Sequence, residues 1–351
     1  MLDKTTIYKW KLSDAQFTKD KGKVFSCFAC GGGSTMGYKL AGFDVIGCNE
    51  IDDKLSAIYV ANHHPKYIFK EDIRKMLDRD DLPAELYNLD ILDGSPPCTS
   101  FSMAGNREKD WGKTKKFREG QAEQTLDDLF FVFIALAKKL QPKVVISENV
   151  SAMMIGNAKQ YCLDVYDQLI EAGFVVSHYV LNAKDFGLAQ TRERVFFVGI
   201  RNDIAKDKID YMNNIFGTVN IDIAVSSKTV AYKDIRQDVG TPISNPLTEH
   251  YITLWKNTQP GCDFGDAHEK GHCFSEKKAH PDKPLLTIRA TGLPYDCYEP
   301  RRIYLEELLM AFGFPLDYDF GDAKPGYVCG MSVPPPMIYA IAKAVYEQVL
   351  C

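Results

Sequence analysis

Val24-Phe25-Ser26-Cys27-Phe28 is an apolar, β-rich run, and Ala29-Cys30-Gly31-Gly32-Gly33-Ser34-Thr35-Met36-Gly37 follows it directly. A strand that empties into glycines and then into a helical stretch opens a βαβ unit, because glycine lets the backbone turn tightly and approach a ligand closely. Outward from it, strands are expected at Val45–Asn49, Ile91–Asp93, Val144–Ser147, Val175–Val180 and Val195–Ile200, with helices at 53–62, 125–140 and 158–172. Strands spaced by helices predict an α/β fold with a mostly parallel, doubly wound, Rossmann-like sheet. Residues 205–285 break the pattern: they lack long helical periodicity and are rich in Asn, Asp, Lys, Pro and Gly, which predicts a smaller, irregular domain. Helical patterns return at Tyr304–Phe312 and, behind the proline block 334–336, at Pro336–Leu350. The expected organisation is an N-terminal extension over 1–21, a catalytic and cofactor-binding domain over 22–204, the irregular domain over 205–285, and a segment over 286–351 that returns to the large domain.

Composition bounds the function classes. With 45% hydrophobic and 25% charged residues in 351, the bulk of the chain is neither disordered, collagen-like nor coiled coil. The longest wholly apolar stretch, Leu129–Ala137, is nine residues, against about 20 for a bilayer span. Residues 1–8 have no apolar core of the signal-peptide kind. No membrane association is expected, and the expected location is cytoplasmic. Ten cysteines then read mostly as buried thiols. The net charge of −5 argues weakly against a nucleic-acid partner but leaves room for a basic surface on an acidic body.

The glycine turn points to a ligand. Its spacing is not a dinucleotide G-x-G-x-x-G, because Met36 occupies the third glycine place. The second strand ends in Asn49-Glu50-Ile51-Asp52, and an acid there can take both hydroxyls of a ribose. An adenosine-type ligand without a pyrophosphate fits this pattern, and S-adenosylmethionine qualifies. Asp72-Ile73 is a candidate for the adenine edge: the carboxylate would accept from the exocyclic amine while Ile73 packs on the ring.

Strand Leu89–Asp93 runs into Gly94-Ser95-Pro96-Pro97-Cys98-Thr99-Ser100. Two prolines stiffen the backbone just before a cysteine at the carboxyl end of a strand, where open α/β sheets place their chemistry. A thiolate is a soft nucleophile, suited to adding to an electron-poor ring carbon and leaving again. The next strand ends in Ser147-Glu148-Asn149-Val150, on the same edge, and a partly buried glutamate can protonate or hydrogen-bond a ring nitrogen. Gln190-Thr191-Arg192-Glu193-Arg194 precedes the strand Val195–Ile200; Arg192 and Arg194, at i and i+2, would share a face of an extended segment and could hold a carbonyl oxygen or a phosphate, or simply form ion pairs.

These pieces, with Gly313-Phe314-Pro315 and Gly330-Met331-Ser332-Val333-Pro334-Pro335, occur in an order that resembles the DNA (cytosine-5)-methyltransferases of bacterial and phage type, over nearly the whole chain outside 205–285. The resemblance implies a Rossmann-like, S-adenosylmethionine-dependent methyltransferase domain with a smaller target-recognition domain at 205–285. It also implies that Cys98 adds to C6 of a cytosine flipped out of double-stranded DNA. Glu148 would then serve N3, and Arg194, with Arg192 close by, the O2 side. Cofactor contacts carry over to Phe28, Ala29, Cys30, Gly31, Gly32 and Gly33, to Glu50 and Ile51, to Asp72 and Ile73, to Pro96 and Leu129, and to Ser332 and Val333. Three positions depart from the family pattern: Cys30 stands where glycine is usual, Thr99 follows the nucleophile where glutamine is common, and Met331 replaces the asparagine before Ser332. None removes a catalytic group.

Residues 103–119 carry six basic residues, Arg107, Lys109, Lys113, Lys115, Lys116 and Arg118, against three acidic ones, with Trp111 among them. Beside Cys98, this reads as a lid that closes on DNA and neutralises phosphates. Cys262, His268, His272 and Cys273 are close in sequence but contain no Cys-x-x-Cys pair, and no metal is expected. The expected partner is double-stranded DNA, bound by a monomer, with a cognate restriction endonuclease acting separately. A tRNA cytosine substrate stays open at this stage. A non-catalytic DNA-binding paralogue is disfavoured by the joint presence of Cys98, Glu148, Arg192 and Arg194, and an amino-group methyltransferase by Cys98 standing where an aromatic residue would be needed.

Overall fold

The computed structural model describes residues 9–97, 128–208, 219–226, 228–269, 271, 273 and 276–351. The chain divides into two compact units. The larger comprises Phe17–Leu181, Glu193–Ile223 and Ile341–Cys351; the smaller comprises Met1–Gln16, Asn182–Arg192 and Ala224–Ala340. Residues 286–340 therefore cluster with 224–285, and the sequence boundary at 285/286 is not a boundary between these units.

The larger unit is built on strands β1 (Lys23–Cys27), β2 (Asp44–Asn49), β3 (Tyr67–Phe69), β4 (Ile91–Gly94), β5 (Val144–Val150), β6 (Phe174–Asn182) and β8 (Glu193–Arg201). They form a sheet in the order β3-β2-β1-β4-β5-β8-β6. The first five pair in parallel, whereas β8 runs antiparallel to β5. Chain order reverses between β1 and β4, and such a switch point opens a crevice outside the carboxyl ends of the strands. There Cys27 pairs with Gly94, so the glycine turn after β1 and the Ser-Pro-Pro segment after β4 leave the sheet from neighbouring residues.

Helices α1 (Gly33–Leu40), α2 (Asp53–His63), α3 (Ile73–Asp78), α4 (Leu129–Leu140) and α5 (Lys159–Glu171) cover the sheet. The α4 sequence is apolar nearly all round and seven of its residues are buried, as a helix pressed into a core requires. Phe25, Leu92, Phe130, Phe133, Val145, Val165 and Phe197 belong to one buried cluster that joins sheet and helices. Gly94 is demanded by this packing: a Cβ there would lie 2.5 Å from the Phe133 ring.

In the smaller unit, β7 (Gln190–Thr191) pairs in parallel with β9 (Leu285–Leu286). The region expected to lack long helices contains α6 (Glu249–Asn257), whose Tyr251, Leu254 and Trp255 pack with buried Phe264 and Tyr295. Phe264 and Tyr295 stack at 4.3 Å between ring centroids. Helices α7 (Leu305–Phe312) and α8 (Pro325–Met331) follow, and α9 (Pro335–Val345) carries the chain back to the larger unit. Fully buried Asp296 accepts hydrogen bonds from Tyr232 Oη at 2.7 Å, Arg236 Nε at 2.8 Å and Arg301 Nη2 at 3.2 Å. A buried carboxylate is tolerated when it is satisfied in this way. Among the described residues, Pro325–Leu350 is long and apolar enough to cross a membrane, but 78% of its most apolar 18-residue window is buried within the protein, and its helix is interrupted at Ser332–Pro334, as in a core helix.

Candidate active site

Three residues of the glycine turn have left-handed backbone. Phe28, expected as the last residue of the strand, has φ +53° and already belongs to the turn; Cys30 has φ +49° and Gly32 φ +81°. Left-handed φ costs an L-residue of order 1 kcal/mol or more, and glycine alone adopts it freely. Position 32 also lacks room: a Cβ would lie 2.1 Å from Nε2 of buried His63. Backbone bonds hold the turn, from Ala29 N to Asn49 O at 3.1 Å and from Gly32 N to Ala29 O at 2.8 Å.

Glu50 sits 7% exposed at the end of β2. Its Oε2 accepts from Cys30 N at 2.8 Å and its Oε1 from Asp52 N at 2.9 Å. One carboxylate thus braces the turn at Cys30 and the start of the following segment at Asp52. Ile51 is half-buried beside it. A tight turn whose backbone a ligand can approach, with an acid one strand away, fits an adenosine-type cofactor.

Asp72 caps α3 by accepting from Arg74 N at 2.9 Å and pairs with Arg74 Nη1 at 2.8 Å. Ile73 is 2% exposed within the main core cluster, as is Leu129 at the start of α4. Pro96 is buried, and its carbonyl accepts from Asn149 Nδ2 at 3.2 Å, which ties the segment before Cys98 to the end of β5. Cys98, Thr99 and the basic stretch 103–119 lie outside the described residues.

On β5, Glu148 is paired with Arg194 of β8: Arg194 Nε lies 2.8 Å from Glu148 Oε1, with side chains only 15% and 12% exposed. The antiparallel register that sets Val150 opposite Arg194 makes this pair diagonal neighbours. The two guanidinium groups of Gln190–Arg194 have separate partners, because the chain passes from one unit to the other between Arg192 and Glu193. Arg192, 2% exposed, donates within the smaller unit to Ile288 O at 3.2 Å and to Gly330 O and Ser332 O at 3.0 Å each. Gln190 joins it there, accepting from Ile288 N at 2.9 Å. Ser332 is buried with its hydroxyl donating to Val328 O at 2.7 Å, and Val333 is buried next to it. The same unit carries a groove of about 550 Å³ lined by Thr191, Glu276, Lys277, Thr287, Arg289 and Gly292 among others. Cys262 is half-buried and Cys273 buried, while His272 is outside the described residues.

Sequence reasoning missed Asp93, the penultimate residue of β4. It is 2% exposed and accepts from Ser26 Oγ at 2.7 Å and Tyr38 Oη at 3.0 Å. Burial raises its pKa to about 7. The available signal was an acid at an interior position of an otherwise apolar central strand.

Sheet order, the glycine turn at the switch point and the acid after β2 form a doubly wound adenosine-site scaffold, the fold class of S-adenosylmethionine-dependent methyltransferases. The family model of the C-5 cytosine-specific DNA methylases matches residues 22–347, and the chain belongs to that family: it is a DNA (cytosine-5)-methyltransferase. It is 36% identical over 344 residues to the type II methyltransferase M.FnuDI of Fusobacterium nucleatum, covering 93% of this chain and 94% of the relative. It is 28% identical to M1.HphI of Haemophilus parahaemolyticus, covering 92% and 86%. Among solved structures, an S. pombe Dnmt2 methyltransferase shares the fold at TM-score 0.60 and 16% identity, over 93% of this chain and 98% of that one.

Proposed function

We propose that the protein methylates C5 of one cytosine within a short, specific double-stranded DNA sequence, through a covalent adduct between Cys98 and C6 of a base flipped out of the duplex. The observation that carries this reading is the Glu148–Arg194 pair on the carboxyl edge of the sheet, next to a strand whose Pro96 is tied to Asn149. A carboxyl group and a guanidinium held 2.8 Å apart present what the N3 and O2 positions of cytosine need: a group that shares a proton with N3 and a donor for O2. The Cys98 thiolate bonds to C6 while Glu148 protonates N3 and Arg194 holds O2. Electron density then gathers at C5. S-adenosylmethionine, when bound, supplies the methyl group that C5 takes. Release of the C5 proton to water, return of the N3 proton to Glu148 and departure of the Cys98 thiolate restore the aromatic ring.

Phe28 to Gly33, Glu50 and Ile51 hold the cofactor in this reading, together with Asp72, Ile73, Pro96 and Leu129. Arg192 shapes the segment that carries Arg194. Residues 205–285 supply target recognition, and the polar rim of the groove at Thr191, Lys277 and Arg289 supports base-edge reading in the major groove, where the pairs are distinguishable. The lysine-rich stretch 103–119 neutralises DNA phosphates. The protein works as a cytoplasmic monomer on DNA, and a separate restriction endonuclease cuts the unmodified sequence.

A duplex carrying 5-fluorocytosine at the target tests the reading, since fluorine cannot leave as a proton does. The wild type is expected to form a denaturation-resistant adduct, and Cys98→Ser none. Methylation confined to tRNA, with neither product nor adduct on DNA duplexes of mixed sequence, refutes the DNA assignment.

A further inference from the structure

Asp93 occupies an interior position of a central parallel strand, where residues are normally apolar because both faces of the sheet are covered. Its neighbours Ile91 and Leu92 follow that rule at 0% exposure. A carboxylate there costs free energy unless it is hydrogen-bonded. Its partners come from two elements. Ser26 is its register neighbour on β1 and donates from Oγ to Oδ2. Tyr38 of α1 donates from Oη to Oδ1, and Ser34, one helical turn earlier on the same face, adds a further side-chain hydrogen bond.

These contacts fix the glycine turn from behind. Residues 28–32 link the end of β1 to the start of α1 and hold two L-residues, Phe28 and Cys30, at left-handed φ. Such strain persists only where the surroundings over-determine it. The β1 end is held by the sheet ladder, and the middle of the turn by Glu50 and Asn49. The α1 end is held to β4 through Ser34, Tyr38 and Asp93.

We propose that Asp93 is a positioning residue for cofactor binding: through Tyr38 and Ser34 it pins α1 to β4 and so keeps the glycine turn in its binding shape. This rests on the reading that S-adenosylmethionine is held by residues 28–33. The test is calorimetric affinity for S-adenosylmethionine in the full chain, measured for the wild type, Asp93→Asn, Tyr38→Phe and the double variant, with duplex DNA affinity and melting temperature in parallel. Loss of the pinning bond is expected to raise the cofactor Kd about fivefold in each single variant, at unchanged DNA affinity. The double variant should be no weaker than Asp93→Asn, because both substitutions break the same link. Tyr38→Phe keeps the ring in the core and carries the test if Asp93→Asn folds poorly. Lowered melting temperatures with wild-type cofactor Kd would overturn the proposal, as would fully additive effects. A wild type that does not bind S-adenosylmethionine would instead refute the underlying cofactor reading.

Discussion

The buried Asp93 carboxyl makes stability depend on pH in a direction opposite to most acids. Its pKa is raised from the ordinary 3.8 to about 7, chiefly by burial, with Glu148 adding like-charge repulsion and the hydroxyls of Ser26, Tyr38 and Ser34 opposing the rise. Tyr38 on α1 faces it, and Cys27 on the other face of β1 feels its charge; burial pushes both well above their ordinary values. Between pH 4 and 7 the unfolded chain has released the Asp93 proton while the folded chain keeps it. This contribution to stability is therefore full below pH 4, declines as pH rises, and is lost above pH 7. From pH 5 to pH 8 the decline spans two units, at about 1.4 kcal/mol each, or about 3 kcal/mol. Urea unfolding of the wild type and Asp93→Asn at both pH values isolates it, since every other titrating group is common to the two proteins. The wild type should lose about 3 kcal/mol more than the variant on going from pH 5 to pH 8. Parallel losses, agreeing within about 0.5 kcal/mol, would show that Asp93 does not titrate in this window.

Glu50→Ala should weaken S-adenosylmethionine binding by about 1–3 kcal/mol, because ribose acceptors and the brace on Cys30 N are lost together; unchanged affinity in a folded variant refutes the assignment. Arg192→Met leaves the carbonyls of Ile288, Gly330 and Ser332 without that donor and should destabilise the protein by about 2–4 kcal/mol; an unshifted melting curve refutes its anchoring role. Neutralising Lys113, Lys115 and Lys116 together should flatten the salt dependence of DNA binding by counterion release while cofactor affinity holds; an unaltered slope refutes phosphate contact.

Much of the larger unit was legible because its signals are local. Most of the expected strands and helices recur within a residue or two of their bounds, although β5 runs three residues further, to Val150, and α4 starts at Leu129; the glycine turn follows β1 as its composition demands. What escaped depends on partners far along the chain. Phe28 reads as strand, yet bonds between Ala29 and Asn49 and between Cys30 and Glu50 hold its successors in a turn. The antiparallel course of β8 is invisible in its apolar pattern, which is the same for either direction. Arg192 and Arg194 look equivalent at i and i+2, but the carbonyls that hold Arg192 belong to residues about 100 to 140 positions away. Glu148 was legible as a candidate at the end of β5, whereas its pairing with Arg194 required the register of β5 on β8.

The path of the chain between its two compact units has a consequence for inheritance. It crosses at 16/17, 181/182, 192/193, 223/224 and 340/341. A module joined by one linker can be exchanged by a single recombination event. Here the short piece Asn182–Arg192 stays behind whenever 224–340 is replaced, and its Gln190 and Arg192 reach into the replaced segment at residues 288, 330 and 332. An incoming segment must therefore offer backbone groups at those three places to be accepted. New sequence specificities are expected to arise more readily by substitution between these anchors than by wholesale exchange, and a grafted segment that keeps them should fold where one cut without regard to them does not.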